Sequence, residues 1–393
     1  MEWFNDQPLR PRPHLAVLFY DAIGDFVVVT PLLRGLREKY PGCTIDYLSG
    51  ERTRDLEAAS PLIDARFSVF GDPEALRRLP AWVAAREAAA GPYDLAINCD
   101  FHPLLAVVTR LLAPRYVVGR CLGPDLRDDL PRAPGKVHQL HDEYWAAPDL
   151  LERYGDVLTS TFIGEILCRL AFVTTDFHRT TVPATPPPAP VPDVLIATGG
   201  RRPAKLWPAA HWRAVIAWCA AQGLTVGLLG DRPAAQAAVY HAGALEAELL
   251  RTTPLVDLRG RFRLPEVAGA LQRARACVSV DNGIMHLAYS VGTPTIAIFG
   301  ASPWWLWTPR VPHLQVVTPP EPCACAAASR FRHAACAQPA RHCLAQIRPE
   351  MVIERLASVL RPEDPDTVAG PNGPREGGRA CSSGSASSSA PGR

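Results

Sequence analysis

Residues 276–300, ACVSVDNGIMHLAYSVGTPTIAIFG, constrain the fold more than any other stretch of this chain. They read as a buried strand at 278–280, a tight polar turn (Asp281-Asn282-Gly283), a short helix containing His286, and a second buried strand ending at Gly300. Two apolar strands joined through a helix are the unit of a parallel sheet, and open parallel sheets bind ligands at the carboxyl ends of their strands. This order sets Asp281, Asn282 and the free N–H groups of a helix N-terminus at such an end, where phosphate is favoured. Taken singly, Asp281 reads as a helix cap and His286 as a core histidine; the compact D-N-G-x-x-H turn is more specific than either.

The same alternation runs through the rest of the chain. LAVLFY at 15–20 is a continuous apolar run, the form of a strand buried on both faces. Asp21 and Gly24-Asp25 follow, then a helix-compatible stretch through Thr30-Pro31 to Tyr40. Further strands are expected at 44–48, 95–98 and 116–118, with a helix over 74–90 interrupted at Pro80. PATPPPAPVP at 183–192 can hold neither a helix nor a central strand and marks a domain boundary. Beyond it the pattern restarts: strands at 194–197, 225–229 and 255–258, helices at 209–222, 233–250, 265–274 and 349–360. The expected organisation is an N-terminal domain over 14–182, a Pro-rich linker over 183–193, a C-terminal domain over 194–360 and a disordered Pro, Gly and Ser-rich tail over 361–393. Two βα domains joined by a linker imply a cleft between them.

Composition excludes several classes. The chain has 393 residues, enough for two cores, and is 48% hydrophobic and 20% charged, hence globular. A net charge of +2 gives no electrostatic case for nucleic acid. No apolar run reaches the roughly 18 residues of a membrane span, and MEWFNDQPLRPRPH lacks the basic-then-apolar order of a signal peptide. The expected compartment is the cytoplasm, with peripheral membrane contact left open. Eleven cysteines are scattered except for Cys323, Cys325, Cys336 and Cys343, spaced C-x-C-x10-C-x6-C with His333 and His342 interleaved. The expectation is no metal, with a structural zinc or iron on these four thiols as the lesser reading.

Two more loops follow strands. In AIGD at 22–25 the glycine permits a tight turn, and Asp25 either caps the next helix or faces the cleft as a general base. In TGGRRPAKLWP, beginning at Thr198, the residues Thr198, Gly199 and Gly200 can bring backbone N–H groups to an anion while Lys205 supplies a mobile positive charge. Asp231, ending another strand, suits a ribose hydroxyl or a helix cap equally. Trp304, Trp305 and Trp307 follow Gly300 and can wall the cleft or pack in the core.

Together these motifs resemble glycosyltransferase family 9, the ADP-heptose:lipopolysaccharide heptosyltransferases and their relatives. IGDFVVVTPLLRGLREKYPGCTIDYLSG (23–50) is similar to the family's opening, TGGRRPAKLWPAAHW (198–212) to its Lys-x-Trp-Pro motif, and VSVDNGIMHLAYSVGTPTIAIFGASP (278–303) to D-[ST]-G-x-x-H-x-A-x-x-x-G-x-P. Cys343-Leu344, Ile347 and Pro349-Glu350 resemble its C-L-x-x-I-x-P-E ending. Asn282 departs from the family's Ser or Thr, Gly-Gly-Arg-Arg is an unusual phosphate loop, and C-x-C replaces C-x2-C.

The resemblance implies an α/β GT-B fold, two Rossmann-like domains facing each other across a cleft, and inverting sugar transfer without a catalytic metal or other cofactor. It makes Asp25 the general base and Lys205 the ligand of donor phosphate. It places Thr198, Gly199, Asp281, Asn282, Gly283 and His286 around the nucleotide sugar. The implied donor is ADP-heptose and the implied acceptor a lipid-linked or lipopolysaccharide-type saccharide, with Arg52, Arg54, Arg115 and Arg120 as candidate acceptor contacts. A nucleotide-sugar epimerase and a catalytically silent nucleotide-sugar-binding protein are the alternatives.

Overall fold

The computed structural model describes residues 1–131, 133–237, 241–321 and 342–361. Residues 1–360 form one compact unit built on two parallel six-stranded sheets. The first contains β1 (Glu2–Trp3), β2 (His14–Leu18), β3 (Thr44–Gly50), β4 (Ala65–Phe70), β5 (Leu95–Asn98) and β6 (Tyr116–Gly119), in the spatial order β1-β6-β5-β2-β3-β4. The second contains β7 (Val194–Ala197), β8 (Val226–Leu228), β9 (Val256–Asp257), β10 (Ala276–Val280), β11 (Thr295–Ile298) and β12 (Leu314–Val317), in the order β12-β11-β10-β7-β8-β9.

Each order contains one reversal. The chain lays β2, β3 and β4 outward in one direction, then returns to place β5 on the other side of β2. It repeats this with β7, β8 and β9, then β10 on the other side of β7. Loops on either side of such a reversal diverge to opposite faces of the sheet and leave a crevice at the carboxyl ends of the strands. The first crevice lies between the loops after β2 and β5, the second between those after β7 and β10.

The helices that matter for these crevices are α1 (Ile23–Lys39), α2 (Ala75–Ala90), α3 (Pro103–Leu111), α4 (Ala209–Ala221), α5 (Gly243–Thr252), α6 (Leu264–Arg273), α7 (Gly283–Ser290), α8 (Trp304–Trp307) and α9 (Pro349–Leu360). Pro31 lies inside α1 without breaking it. Its ring nitrogen cannot donate to the Val27 carbonyl, and the Thr30 hydroxyl does so instead at 2.7 Å, which satisfies a buried acceptor. Pro80, expected to interrupt α2, is likewise carried within it. There the carbonyl deprived of a donor belongs to Leu76, a residue on the exposed side. The helix expected over 233–250 divides into Pro233–Ala237 and α5.

The proline segment at 183–192 has no regular structure and is not a free spacer. The Thr185 N–H donates to the Pro265 carbonyl, and Gly269 on α6 has no side chain because one would strike the Thr185 carbonyl. One apolar cluster runs through both halves, joining Phe26, Leu33 and Leu36 of α1 to Met285 and Tyr289 of α7. No described helix is long and apolar enough to cross a membrane. The tail expected at 361–393 lies, apart from Arg361, outside the described residues, as do Cys323, Cys325, Cys336 and His333.

Candidate active site

Asp25 stands at the third position of α1, whose N-cap is Ala22 with no side-chain hydrogen bond. An aspartate there ordinarily turns back to bond the free N–H groups of the first turn. Asp25 does not: its carboxylate makes no hydrogen bond or ion pair among the described residues and is only partly covered. Desolvation pushes its pKa up to about 8, with Asp100 and Asp21 adding to the rise and Arg201 and Lys205 opposing it. The carboxylates are close because the fold brings their loops together. Asp21 precedes α1, and Asp100 follows β5 on the other side of the reversal. Gly50 at the end of β3 makes room for Asp21, since a Cβ there would come 2.4 Å from the Asp21 carboxyl carbon. At the carboxyl ends of β2, β4 and β5, Tyr20, Phe70 and His102 form an aromatic cluster, with ring centroids 5.0–5.9 Å apart.

The second crevice brings cations to the first: Lys205, paired with a carboxylate of its own, and Arg201. Lys205, at the end of a short 3-10 turn (Pro203–Lys205), donates to Asp281 Oδ2 at 2.5 Å. Burial alone would raise the Asp281 pKa, but Lys205 and a hydrogen bond from Ser302 more than offset it and hold the carboxyl below its ordinary value. Arg201 is exposed and reaches over the Tyr20 ring of the first crevice, 6.0 Å from its centroid.

The two crevices meet at two glycines. A Cβ on Gly24 would come 3.0 Å from His286 Nε2, and one on Gly283 would come 2.7 Å from the Ile23 side chain. The two strand–turn–helix units therefore touch through positions that no larger residue fills unchanged. His286 is buried and hydrogen-bonded through Nδ1 to the Tyr289 hydroxyl at 2.7 Å, and Trp307 stands edge-on to its ring. Burial pushes its pKa down to about 4, Asp281 opposing and Lys205 reinforcing the shift, so the imidazole is neutral at pH 7.

Three residues expected around a ligand are held within the protein. Asn282 is the N-cap of α7: its Oδ1 accepts from the Ile284 and Met285 N–H groups, and its Nδ2 donates to the Gly199 carbonyl at 2.9 Å. The cap takes two of the first-turn donors and leaves the Gly283 N–H. It also ties the β10 loop to the β7 loop, so Asn282 and Gly199 shape the crevice through each other. Thr198 is fully buried and donates to Glu246 of α5 at 2.8 Å, and Glu246 is in turn paired with Arg259.

The four arginines separate. Arg52 and Arg54 follow β3, and Arg120 follows β6, on the crevice side of the sheet. Arg120 is occupied by Asp129 and the Phe101 carbonyl, and Arg54 by Glu51. Arg115 precedes β6 and stacks on Tyr116 at the amino end of the sheet, which removes it from the crevice. Asp231, after β8, is exposed. Cys343 and Leu344 pack on Gly300, where a Cβ would come 2.8 Å from the Cys343 sulfur. No group of His, Cys, Asp or Glu able to hold a metal occurs among the described residues. The sequence motifs pass over Asp100, Tyr20 and Ser302, and they show Arg201 only as an oddity of its loop. Asp100 is recoverable from the strand at 95–98, because the residues just past a parallel strand are where sites form.

A family model, glycosyltransferase family 9 (heptosyltransferase), matches residues 165–332. Lipopolysaccharide heptosyltransferase 3 of Escherichia coli is 22% identical over 300 residues, covering 73% of this chain and 83% of that protein. Among solved structures, a family 9 glycosyl transferase from Veillonella parvula DSM 2008 superposes with a TM-score of 0.65 at 18% identity, covering 88% of this chain and 97% of that one. The E. coli ADP-heptose lps heptosyltransferase II gives 0.63 at 18% identity, covering 88% and 98%. Over residues 165–332 the chain matches glycosyltransferase family 9, it is heptosyltransferase-like in sequence and fold, and its paired sheets are the GT-B fold.

Proposed function

We propose that the protein is an inverting glycosyltransferase that moves a heptose from ADP-heptose to a saccharide acceptor of lipopolysaccharide type. The observation that carries this reading is Asp25: a carboxylate with no hydrogen-bond or ion-pair partner among the described residues, in one crevice, facing Lys205 and Arg201 of the other. Asp25 takes the proton of the acceptor hydroxyl as its oxygen attacks the anomeric carbon. The bond from that carbon to the diphosphate breaks with its electrons leaving on ADP. Lys205, Arg201 and the Gly283 N–H provide the positive potential that stabilises the departing charge. Asp281 holds Lys205 in place until the diphosphate enters. Neutral His286 stands against Gly24, at the junction where sugar and acceptor meet. On this reading the lobes 14–182 and 194–360 bring acceptor and donor together, and transfer proceeds without a metal ion. The lipid-linked acceptor places the enzyme in the cytoplasm, in peripheral contact with the inner face of the cytoplasmic membrane.

A thermal-shift comparison of ADP-, UDP- and GDP-linked sugars, with and without EDTA, tests the donor. A ligand at one hundred times its Kd stabilises by about 2.7 kcal/mol, so ADP-heptose should raise Tm distinctly and equally in both conditions. Preference for UDP- or GDP-sugars contradicts the heptosyltransferase reading, and loss of transfer in EDTA contradicts its metal independence.

A further inference from the structure

Helix α8 serves two places at once. Trp307 at its end touches His286, while Trp304 and Trp305 at its start line a pocket of about 330 Å3, at the lower end of the roughly 300–1,000 Å3 that small ligands occupy. The facing wall is Thr161, Phe162 and His178, and Arg310 stands at its side. The Thr161 hydroxyl donates to the Trp305 carbonyl at 3.2 Å and joins the two walls.

The charge of the lining is cationic. No acidic residue lines the pocket, and the Arg310 guanidinium has no ion pair among the described residues. Trp305 Nε1 is buried with no hydrogen-bond partner among the described residues, a donor whose desolvation nothing offsets. His178 Nδ1 accepts the Arg310 backbone N–H at 3.2 Å, which leaves the ring proton on Nε2 as a further donor. Trp304 is 40% exposed and offers an indole face. A cation and two N–H donors with no carboxylate among the lining residues, beside an open aromatic ring, fit a ligand that is ring-shaped, rich in oxygen and negatively charged.

We propose that this pocket is a second saccharide subsite, taking a pyranose-sized sugar that bears one anionic group, carboxylate or phosphate. The sugar ring lies on Trp304, the anion meets Arg310, and Trp305 and His178 donate to ring or anionic oxygens. Its purpose rests on the transferase reading: through α8 it anchors an acidic unit of the acceptor at a distance from the reacting hydroxyl.

The test measures binding to the full chain without donor, so it is independent of transfer. Glucuronate, glucose 6-phosphate and glucose are titrated while tryptophan fluorescence is followed, in the natural protein and in Arg310→Ala and Trp304→Ala. Both positions are exposed, so folding is retained. At least one anionic sugar should saturate the signal, with glucose about tenfold weaker or more. Arg310→Ala should weaken the anionic sugar by about tenfold, the loss of one charge-assisted contact, and Trp304→Ala should weaken it comparably. Equal affinity for glucose, no saturation by any sugar, or unchanged affinity in both variants overturns the subsite. A protein that transfers heptose normally yet gives any of those results keeps the transferase reading and loses only this one, whereas saturation without transfer does the reverse.

Discussion

At the scale of single residues the decisive question is whether Asp25 belongs to its helix or to the cleft. The short sequence AIGD leaves both open, because a carboxylate in a first turn is as good a cap as it is a base. The structure separates them by where the hydrogen bonds go: among the described residues Asp25 receives none, and Asp100 and Asp21 crowd it. A base must be deprotonated to act, so kcat/KM should rise with pH and level off above about 8, the value to which Asp25 is pushed. A flat profile between pH 6 and 9 contradicts the assignment. The same shift has a consequence for stability. The folded protein holds the Asp25 proton more tightly than the unfolded chain does, so its stability contribution is full below the ordinary carboxylate pKa and is lost as pH rises through about 8. Asp25→Asn carries no such charge. Its Tm relative to the natural protein should therefore increase from pH 4 to pH 9, and a constant difference would mean the carboxylate is not desolvated.

At the scale of elements, strands 95–98 and 194–197 and helix 349–360 stand where the apolar runs and turn residues put them, since burial on both faces writes itself as a continuous run. Strand order is not written that way. The two reversals that create the crevices come from pairings between β2 and β5 and between β7 and β10, contacts about eighty residues apart in the chain. Asp100 and Arg201 were therefore invisible as partners of Asp25, although each follows a readable strand. Arg115 was misplaced for the related reason that its end of β6 was not distinguished. The D-N-G-x-x-H turn was legible as a unit, but not the division of labour inside it, because a side-chain oxygen capping a helix and one bonding a ligand use the same residue types. Asn282→Ala should cost about 1 kcal/mol of cap stability in urea unfolding and weaken ADP binding through the released Gly199 loop. Asn282→Ser should restore the stability, because a serine still caps, but not the full affinity, because the bond to Gly199 is gone. Full ADP affinity in both variants would show that the tie does not shape the donor crevice.

At the scale of the whole molecule, two sheets of the same winding present their crevices to each other, one carrying the clustered carboxylates Asp21, Asp25 and Asp100 and the other the Lys205–Asp281 pair and Arg201. The contacts at Gly24 and Gly283 make the junction tight, and the apolar cluster from α1 to α7 holds it. Division of labour between the crevices is the central claim: the second binds the nucleotide sugar and the first activates its acceptor. It is tested most directly by comparing Asp25→Asn with the natural protein in two measurements on one preparation, heptose transfer from ADP-heptose and ADP affinity by calorimetry. Transfer should fall by about 10²–10⁴, the range of a lost general base, while ADP affinity stays within about twofold, since the mutation removes no donor contact. Undiminished transfer, or loss of transfer and of ADP affinity together, would contradict it.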